Sequence, residues 1–187
     1  ERKYAFGVEP RNSHAVIGPC VVADGIPLYF DCGNEKGLAV AGLNFPGYAQ
    51  YEEQPVDGKT NVAAYEFPLW IASNFNTVDE VEDALKDVAI VGKPVNDVFP
   101  VSFQHWIIGD AERAITVEYM ADGMHVYRND IDVLANQPTF DWQIEHLRSY
   151  MNVRPDHEES VMWGKQELKP YGASGMMVGL PGSAYSP

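Results

Sequence analysis

Short apolar segments separated by tight turns dominate the first 130 residues, and their order limits the possible folds more than any other feature. The clearest turn is Asp24-Gly25, which lies between the apolar segments 14–23 and 26–32. An Asp-Gly pair in this setting is a strong signal for a β-hairpin. A third apolar segment, 38–44, follows the turn residues 33–37. These residues predict an antiparallel meander of three short strands.

A second set of strand-like segments lies later in the chain, at 106–109, 114–120 and 124–127. Polar or glycine-containing turns separate these segments, so they predict a second antiparallel meander. Residues 46–61, rich in Pro, Gly, Glu and Gln, predict a surface loop.

The segment between the meanders is predicted to be helical. Pro68 suits the first turn of a helix over 65–72. Thr77 and Glu80 have the spacing of a capping box. The apolar residues that then recur at helical spacing are Val78, Val81, Ala84, Leu85 and Val88. A last helix is predicted just after Pro138, with one face formed by Phe140, Ile144, Leu147 and Met151.

The chain therefore runs from strands to helices, back to strands and again to a helix, without the regular alternation that builds a doubly wound parallel sheet. This order predicts an α+β fold based on antiparallel sheets. No linker separates two domains, so residues 1–187 are expected to belong to a single domain.

Charge and composition exclude several classes of partner. The chain carries 13 Lys and Arg against 27 Asp and Glu, a net charge of −14. Nucleic acids and anionic lipids need clustered cations, so neither is an expected partner. No segment reaches the roughly 18 apolar residues of a membrane span. Two cysteines are too few for a secreted disulfide framework, which favours a cytoplasmic protein with a small-molecule or protein partner.

General chemical patterns identify no site. No two histidines have the spacing of metal ligands on one helical turn, so no metal is expected. Cys32 and His105 could form a thiol nucleophile and its base only if the fold brought them together, and a buried structural thiol is the favoured interpretation. The C-terminal glycines 172–182 match no cofactor motif. The tryptophans Trp70, Trp106, Trp142 and Trp163 are expected in the core.

Four collinear stretches, however, resemble the choloylglycine hydrolase family, and in particular its bacterial bile salt hydrolases. They are residues 34–48 (NEKGLAVAGLNFPGY), 66–70 (EFPLW), 120–126 (MADGMHV) and 136–140 (NQPTF). The similarity spans essentially all 187 residues. It implies the Ntn-hydrolase fold, an αββα four-layer sandwich of antiparallel sheets. It also implies that residues 1–187 are one partial domain, incomplete at both ends.

The resemblance implies hydrolysis of the amide bond between a bile acid and glycine or taurine. In this family the nucleophile is a cysteine at the mature N-terminus, and its own α-amino group serves as the base. No cofactor is implied. The substrate would be an amphipathic anion, and the enzyme a homo-oligomer, possibly a tetramer.

Two asparagines match family residues that support catalysis. Asn44 matches a residue that supports the active site around the oxyanion, and Asn136 matches a second asparagine near the nucleophile. Amide side chains suit this role because they donate hydrogen bonds to an oxyanion without titrating. From the residues alone, Asn44 could be a turn former and Asn136 a helix cap. Penicillin V acylases tend to have Tyr at the position of Asn44, so the resemblance favours bile salts.

Two features depart from the family pattern. The family nucleophile would precede Glu1, and neither Cys20 nor Cys32 occupies its place, so the 187-residue chain alone is expected to be inactive. The C-terminal stretch 179–187 resembles a Gly-x-Pro-Gly-Asp segment but has Ser183 in place of Asp. Two alternatives stay open: an acylase for penicillin V or acyl-homoserine lactones, and a non-catalytic protein that binds amphipathic ligands.

Overall fold

The two meanders join in one antiparallel sheet of six strands. A computed structural model describes residues 3–151 and 159–169, and gives an α+β fold, as predicted. The strands are β1 Val16–Ile17, β2 Cys20–Ala23, β3 Ile26–Tyr29, β4 Asp31–Asn34, β5 Ala39–Asn44, β6 Thr60–Ala63, β7 Val88–Val91, β8 Gln104–Gly109, β9 Ala114–Met120, β10 Gly123–Arg128, β11 Val161–Trp163 and β12 Gln166–Leu168. The helices are α1 Phe67–Asn74, α2 Val78–Leu85 and α3 Phe140–Leu147.

The strand order in the large sheet is β1-β4-β5-β8-β9-β10. Strand β5, the last strand of the first meander, pairs antiparallel with β8, the first strand of the second. The pairing runs from Ala39 opposite Gly109 to Asn44 opposite Gln104. A strand in this central place is held on both edges by backbone hydrogen bonds. The pairing of β5 with β4 covers only Ala39–Ala41, so among the strands it is β8 that holds the end of β5 at Asn44.

The first meander contains more breaks than the sequence predicts. The segments 14–23 and 26–32 each divide into two strands, and the hairpin of β2 and β3 forms its own two-stranded sheet. The break between β1 and β2 falls at Gly18-Pro19. A Cβ atom on Gly18 would lie 2.2 Å from the carbonyl oxygen of Asp31, and Pro19 has no N–H to donate. The chain passes too close to β4 here for a regular strand to continue.

The helical region agrees with the prediction at α1 and α2 but not at Val88. Thr77 Oγ1 accepts a hydrogen bond from Glu80 N at 3.3 Å, which caps α2 as predicted. The Glu80 carboxylate accepts from Asn76 N, one residue before the expected position, and this bond lowers the pKa of Glu80. Val88 does not continue the helix; it begins β7, which pairs parallel with β6. Fully buried apolar runs are typical of parallel strands.

The core lies between the large sheet and α1. Trp106, at the centre of β8, is fully buried, and its ring centroid lies 4.5 Å from that of Phe67 at the start of α1. Trp70 is also buried, as predicted. Trp142 and Trp163 are instead 51% and 73% exposed, which corrects their expected place in the core.

Backbone contacts divide the chain into two units, residues 1–140 and residues 141–187. In the second unit, β11 and β12 form a hairpin that the sequence did not predict. Leu147 and Met151, expected on the apolar face of the last helix, are exposed. The C-terminal glycines and Ser183 lie outside the described residues. In the described part of the chain, we find no helix with the length and hydropathy needed to cross a membrane.

Glu66, just before α1, gives the fold a pH dependence that can be measured. Its side chain is buried and accepts a hydrogen bond from Ala5 N, at 3.0 and 3.1 Å from the two carboxylate oxygens. Burial raises the pKa of this carboxyl above its ordinary value of 4.5, against smaller opposing effects of Ala5 N–H and Lys93. The folded protein therefore binds the Glu66 proton more tightly than the unfolded chain does.

Proton linkage determines whether the free energy of unfolding rises or falls with pH because of Glu66. Through the pH range just above 4.5 the folded state holds more protons than the unfolded state at Glu66, so the free energy of unfolding falls as pH rises. We expect Glu66→Gln to remove this part of the pH dependence. Urea unfolding of both proteins between about pH 4 and pH 7 measures it. Parallel curves for the two proteins across this range would contradict the assignment.

Candidate functional site

Asn44 is the last residue of β5 and lies at the exposed end of that strand. Two residues earlier, Gly42 leaves room for the buried side chain of Gln104: a Cβ on Gly42 would lie 3.1 Å from its Nε2 and 3.3 Å from its Cδ. On the other side of Asn44, Phe45 N donates to Phe103 O at 2.9 Å. The backbone around Asn44 is therefore held on both sides.

Asn136 lies directly against Asn44. Its Oδ1 accepts a hydrogen bond from Asn44 N at 3.2 Å, and Gln137 N donates to Asn44 O at 3.1 Å. Both backbone groups of Asn44 thus pair with the segment that carries Asn136. Because Oδ1 faces an N–H group, the orientation of the Asn136 amide is fixed, and its NH₂ group is the end that carries donors. The structure brings together the two residues selected from the sequence.

A buried pair of titratable side chains lies beneath this segment. His105 in β8 and Glu118 in β9 are both fully buried, and His105 Nδ1 lies 2.9 Å from Glu118 Oε1. His105 Nε2 lies 2.9 Å from Ala135 O, and Phe140 N donates to Glu118 Oε1 at 2.9 Å. The pair thus contacts the backbone on both sides of Asn136.

The hydrogen bonds limit the protonation state of the pair. A carbonyl oxygen only accepts, so His105 Nε2 carries the proton that it shares with Ala135 O. One further proton lies between Nδ1 and Glu118 Oε1, on either atom. The pair is an ion pair in one case and two neutral groups in the other, and its net charge is zero in both. A buried charge without compensation is thereby avoided.

Aromatic packing joins this pair to Asn44. The ring of Phe45, fully buried, stacks on the His105 imidazole with centroids 4.2 Å apart and planes inclined by 7°. The ring of Tyr48 also stacks on that of Phe45, with centroids 5.2 Å apart. Since Phe45 directly follows Asn44, the stack sets the direction in which the chain leaves β5.

Tyr51 fixes the start of β8 beside the site. Its hydroxyl donates to Gln104 O at 2.8 Å and accepts from Gln104 N at 2.7 Å. Burial raises the pKa of Tyr51, so the hydroxyl stays protonated and both bonds persist at neutral pH. Tyr51 therefore serves as a fixed support here and does not ionise near neutral pH.

The two cysteines lie elsewhere. Cys20 is exposed on the β2–β3 hairpin, while Cys32 is buried in β4, where Sγ donates to Pro68 O at 3.5 Å. Cys32 pairs with Val40, and Val40 with Ile108, so Cys32 shares the sheet face of Ile108. His105 is three residues from Ile108 and lies on the opposite face, because side chains alternate along a strand. The structure does not bring Cys32 and His105 together, and the favoured interpretation of Cys32 as a buried thiol holds.

The groups that the site can supply are amide hydrogen-bond donors on a rigid backbone. Across residues 3–151 and 159–169, no three His, Cys, Asp or Glu side chains are close enough to hold a metal ion. Sequence reasoning missed the roles of Glu118 and of the His105 contacts. The available signal was Glu118 itself, a single acid inside the otherwise apolar strand 114–119.

Comparison with known proteins identifies relatives along nearly the whole chain. A profile of the choloylglycine hydrolase family, described as linear amide C–N hydrolases, matches residues 3–187. A bile salt hydrolase/transferase of Bifidobacterium longum subsp. longum is 55% identical over 174 residues, covering 93% of this chain and 55% of that protein. A conjugated bile acid hydrolase of Lactobacillus acidophilus is 42% identical over 182 residues, covering 97% of this chain and 58% of that protein.

The fold agrees with these matches. A crystal structure of a mutant conjugated bile acid hydrolase from Clostridium perfringens superimposes with a TM-score of 0.82 at 40% sequence identity. The superposition covers 92% of this chain and 53% of that one. The chain thus spans about half the length of the relatives that it matches.

Proposed function

The chain belongs to the choloylglycine hydrolase family, and on this basis we propose that the protein containing it hydrolyses the amide bond of glycine- or taurine-conjugated bile salts. The predicted Ntn-hydrolase α+β fold is confirmed by the match to a conjugated bile acid hydrolase structure. Two relatives at 42% and 55% identity carry names that state bile salt or bile acid hydrolysis. The activity is assigned to the longer protein, since the chain covers about half of those relatives.

One structural observation supports the proposed role of the asparagines: the hydrogen bond between Asn44 N and Asn136 Oδ1 at an exposed strand end. This bond orients the Asn136 amide, whose donors are carried by its NH₂ group. In amide hydrolysis, negative charge develops on the carbonyl oxygen when the nucleophile attacks. A fixed neutral donor beside that oxygen stabilises the transition state without changing charge. We assign this role to Asn136, with Asn44 as its support.

The nucleophile in this proposal is an N-terminal cysteine supplied by residues that precede Glu1. Its thiolate attacks the amide carbon, the C–N bond breaks, and the leaving amine takes a proton from the α-ammonium group. Water then cleaves the thioester, which releases the bile acid and regenerates the thiol. Neither described cysteine suits this task, because Cys32 is buried against Pro68 O and both lie inside the chain.

The charge of the chain bears on how such a substrate binds. Conjugated bile salts are anions, whereas this chain carries a net charge of −14. The net charge of this chain therefore does not favour long-range attraction of such a substrate. Affinity must come from burial of the steroid against apolar residues and from a few well-placed donors.

The test is release of glycine or taurine from conjugated bile salts by the complete protein. We expect release from at least one conjugate and slower cleavage of penicillin V and of acyl-homoserine lactones. Preference for either of those two substrates would reassign the protein within its family. Binding of bile salts without release of an amine, at any enzyme concentration, would make it a non-catalytic binding protein.

We further propose, from its small number of cysteines, that the protein is cytoplasmic and, from its family, that it assembles as a homo-oligomer, most simply a tetramer. Light scattering coupled to size-exclusion chromatography measures the mass of the assembly. A monomer at micromolar concentration would contradict this proposal and would leave the catalytic one unaffected.

A further inference from the structure

The buried pair of His105 and Glu118 contacts the segment that carries Asn136, the proposed oxyanion donor. We infer that this pair positions Asn136. The inference rests on the function proposed above. Neither side chain is placed in contact with substrate. Each acts through the backbone of residues 135–140, the segment that we call the asparagine segment.

The first step of the argument is where the pair makes contact. His105 Nε2 lies 2.9 Å from Ala135 O, one residue before Asn136, and Glu118 Oε1 lies 2.9 Å from Phe140 N, four residues after it. The asparagine segment is therefore fixed at both ends. Between these ends, Asn136 Oδ1 and Gln137 N pair with the backbone of Asn44. Rotation or lateral movement of Asn136 would break at least one of these contacts.

The second step concerns the support of the pair itself. His105 and Glu118 occupy neighbouring strands, one register position beyond the Trp106–Val117 pair. Strands in the middle of an antiparallel sheet move little relative to each other. The stack of Phe45 on His105, at 4.2 Å, holds the imidazole from its face. The pair is thus rigid, and it links the position of the asparagine segment to the sheet.

The third step explains why a carboxyl group is needed. Glu118 Oε1 contacts both His105 Nδ1 and Phe140 N, while Oε2 is buried and has no hydrogen-bond partner among the described residues. With Gln at this position, an amide oxygen placed at Oε1 could accept from Phe140 N–H but would face the lone pair of His105 Nδ1. An amide nitrogen placed there would satisfy His105 and oppose Phe140 N–H. Glutamine therefore loses one of these two contacts in either orientation, or, if His105 carries its proton on Nδ1, the contact with Ala135 O.

A structural role alone and a positioning role differ in their kinetic effects. Displacing a group that acts only in the transition state lowers kcat and leaves KM nearly unchanged. A misplacement of about 1 Å can reduce a rate by about 10²-fold. Simple destabilisation lowers the amount of folded enzyme and leaves the kcat of the folded fraction as it was.

The experiment uses the complete enzyme with Glu118→Gln and the double variant His105→Phe with Glu118→Gln. We expect kcat to fall at least about tenfold in E118Q and about 10²-fold in the double variant, with KM within about threefold of wild type. The double variant keeps an aromatic ring against Phe45 and leaves no buried charge at these two positions. We therefore expect it to fold, and it provides a second test of the inference. Glu66→Gln, a change at a buried carboxyl on another element, is the control, with kcat expected within about twofold of wild type.

A crystal structure of the double variant supplies a readout that does not need activity. We expect the distance from Asn44 N to Asn136 Oδ1 to exceed 3.5 Å, compared with 3.2 Å in the native chain. Wild-type protein without activity on any conjugate would refute the proposed function, whereas this distance still tests the positioning. Unchanged kcat in folded variants, or failure of both variants to fold, would overturn the inference and assign the pair to sheet stability.

Discussion

Replacement of Asn136 by alanine is expected to lower kcat for conjugated bile salts by about 10²- to 10³-fold, the range found when one donor to a developing oxyanion is lost. The variant removes the NH₂ group that we assign to the oxyanion and also the bond from Asn44 N to Asn136 Oδ1. Steady-state kinetics of glycine and taurine release measure the effect. KM is expected to change little, because the donor acts mainly in the transition state.

Asn136→Asp separates the two consequences of this change. An aspartate keeps an oxygen that can accept from Asn44 N–H, but it has no NH₂ group and cannot donate when ionised. We therefore expect N136D to be at least as impaired as N136A although its segment stays in place. Asn12→Ala is the matched control: Asn12 is exposed, and its side chain donates to Asn74 O at 2.8 Å, in a different part of the fold. Activity of N136D near that of wild type would refute the assigned role.

The largest effect on stability is expected from Trp106→Ala, which should lower the free energy of unfolding by about 3–5 kcal/mol. Trp106 is fully buried, and its ring contacts Phe67 at a centroid distance of 4.5 Å and Tyr51 at 6.0 Å. Alanine would leave a cavity between the sheet and α1 that rigid strands cannot fill.

Urea unfolding monitored by circular dichroism measures this loss. The control is Trp163→Ala, because Trp163 is 73% exposed and its removal creates no cavity within the described residues. Surface substitutions of this kind usually change stability by less than about 0.5 kcal/mol. A loss below about 1 kcal/mol in W106A would mean that the core can close around the missing ring.

The parts of the fold that the sequence predicted are those set by local rules. The hairpin at Asp24-Gly25 is one case, since both residues have positive φ, 52° and 75°, as a two-residue hairpin turn requires. The helix α2 is another, because its cap at Thr77 and its buried face depend on residues within three or four positions. Such features need no information from distant parts of the chain.

The parts that the sequence did not predict depend on pairing between distant segments. Strand β6 (TNVA) has no marked alternation, and it becomes a strand only because β7 lies beside it. The pairing of β5 with β8, which joins the two meanders, likewise has no signal in the local sequence. For the candidate site, the family resemblance selected Asn44 and Asn136, while their contact depends on the whole sheet. The His105–Glu118 pair was missed because its members are 13 positions apart and meet only through the pairing of β8 with β9.

The separation of Asn44 and Asn136 along the chain, 92 positions, also determines when the site can form during folding. Closing so long a loop carries a large entropic cost, which must be met by contacts made first in between. The β5–β8 and β8–β9 pairings shorten the effective loop step by step, so their earlier formation lowers the cost of the contact between the asparagines. During synthesis on the ribosome, the asparagine pair cannot form until Asn136 has emerged. Asn136 follows all six strands of the large sheet along the chain, so the contact between the asparagines is the last of these contacts to become possible during synthesis.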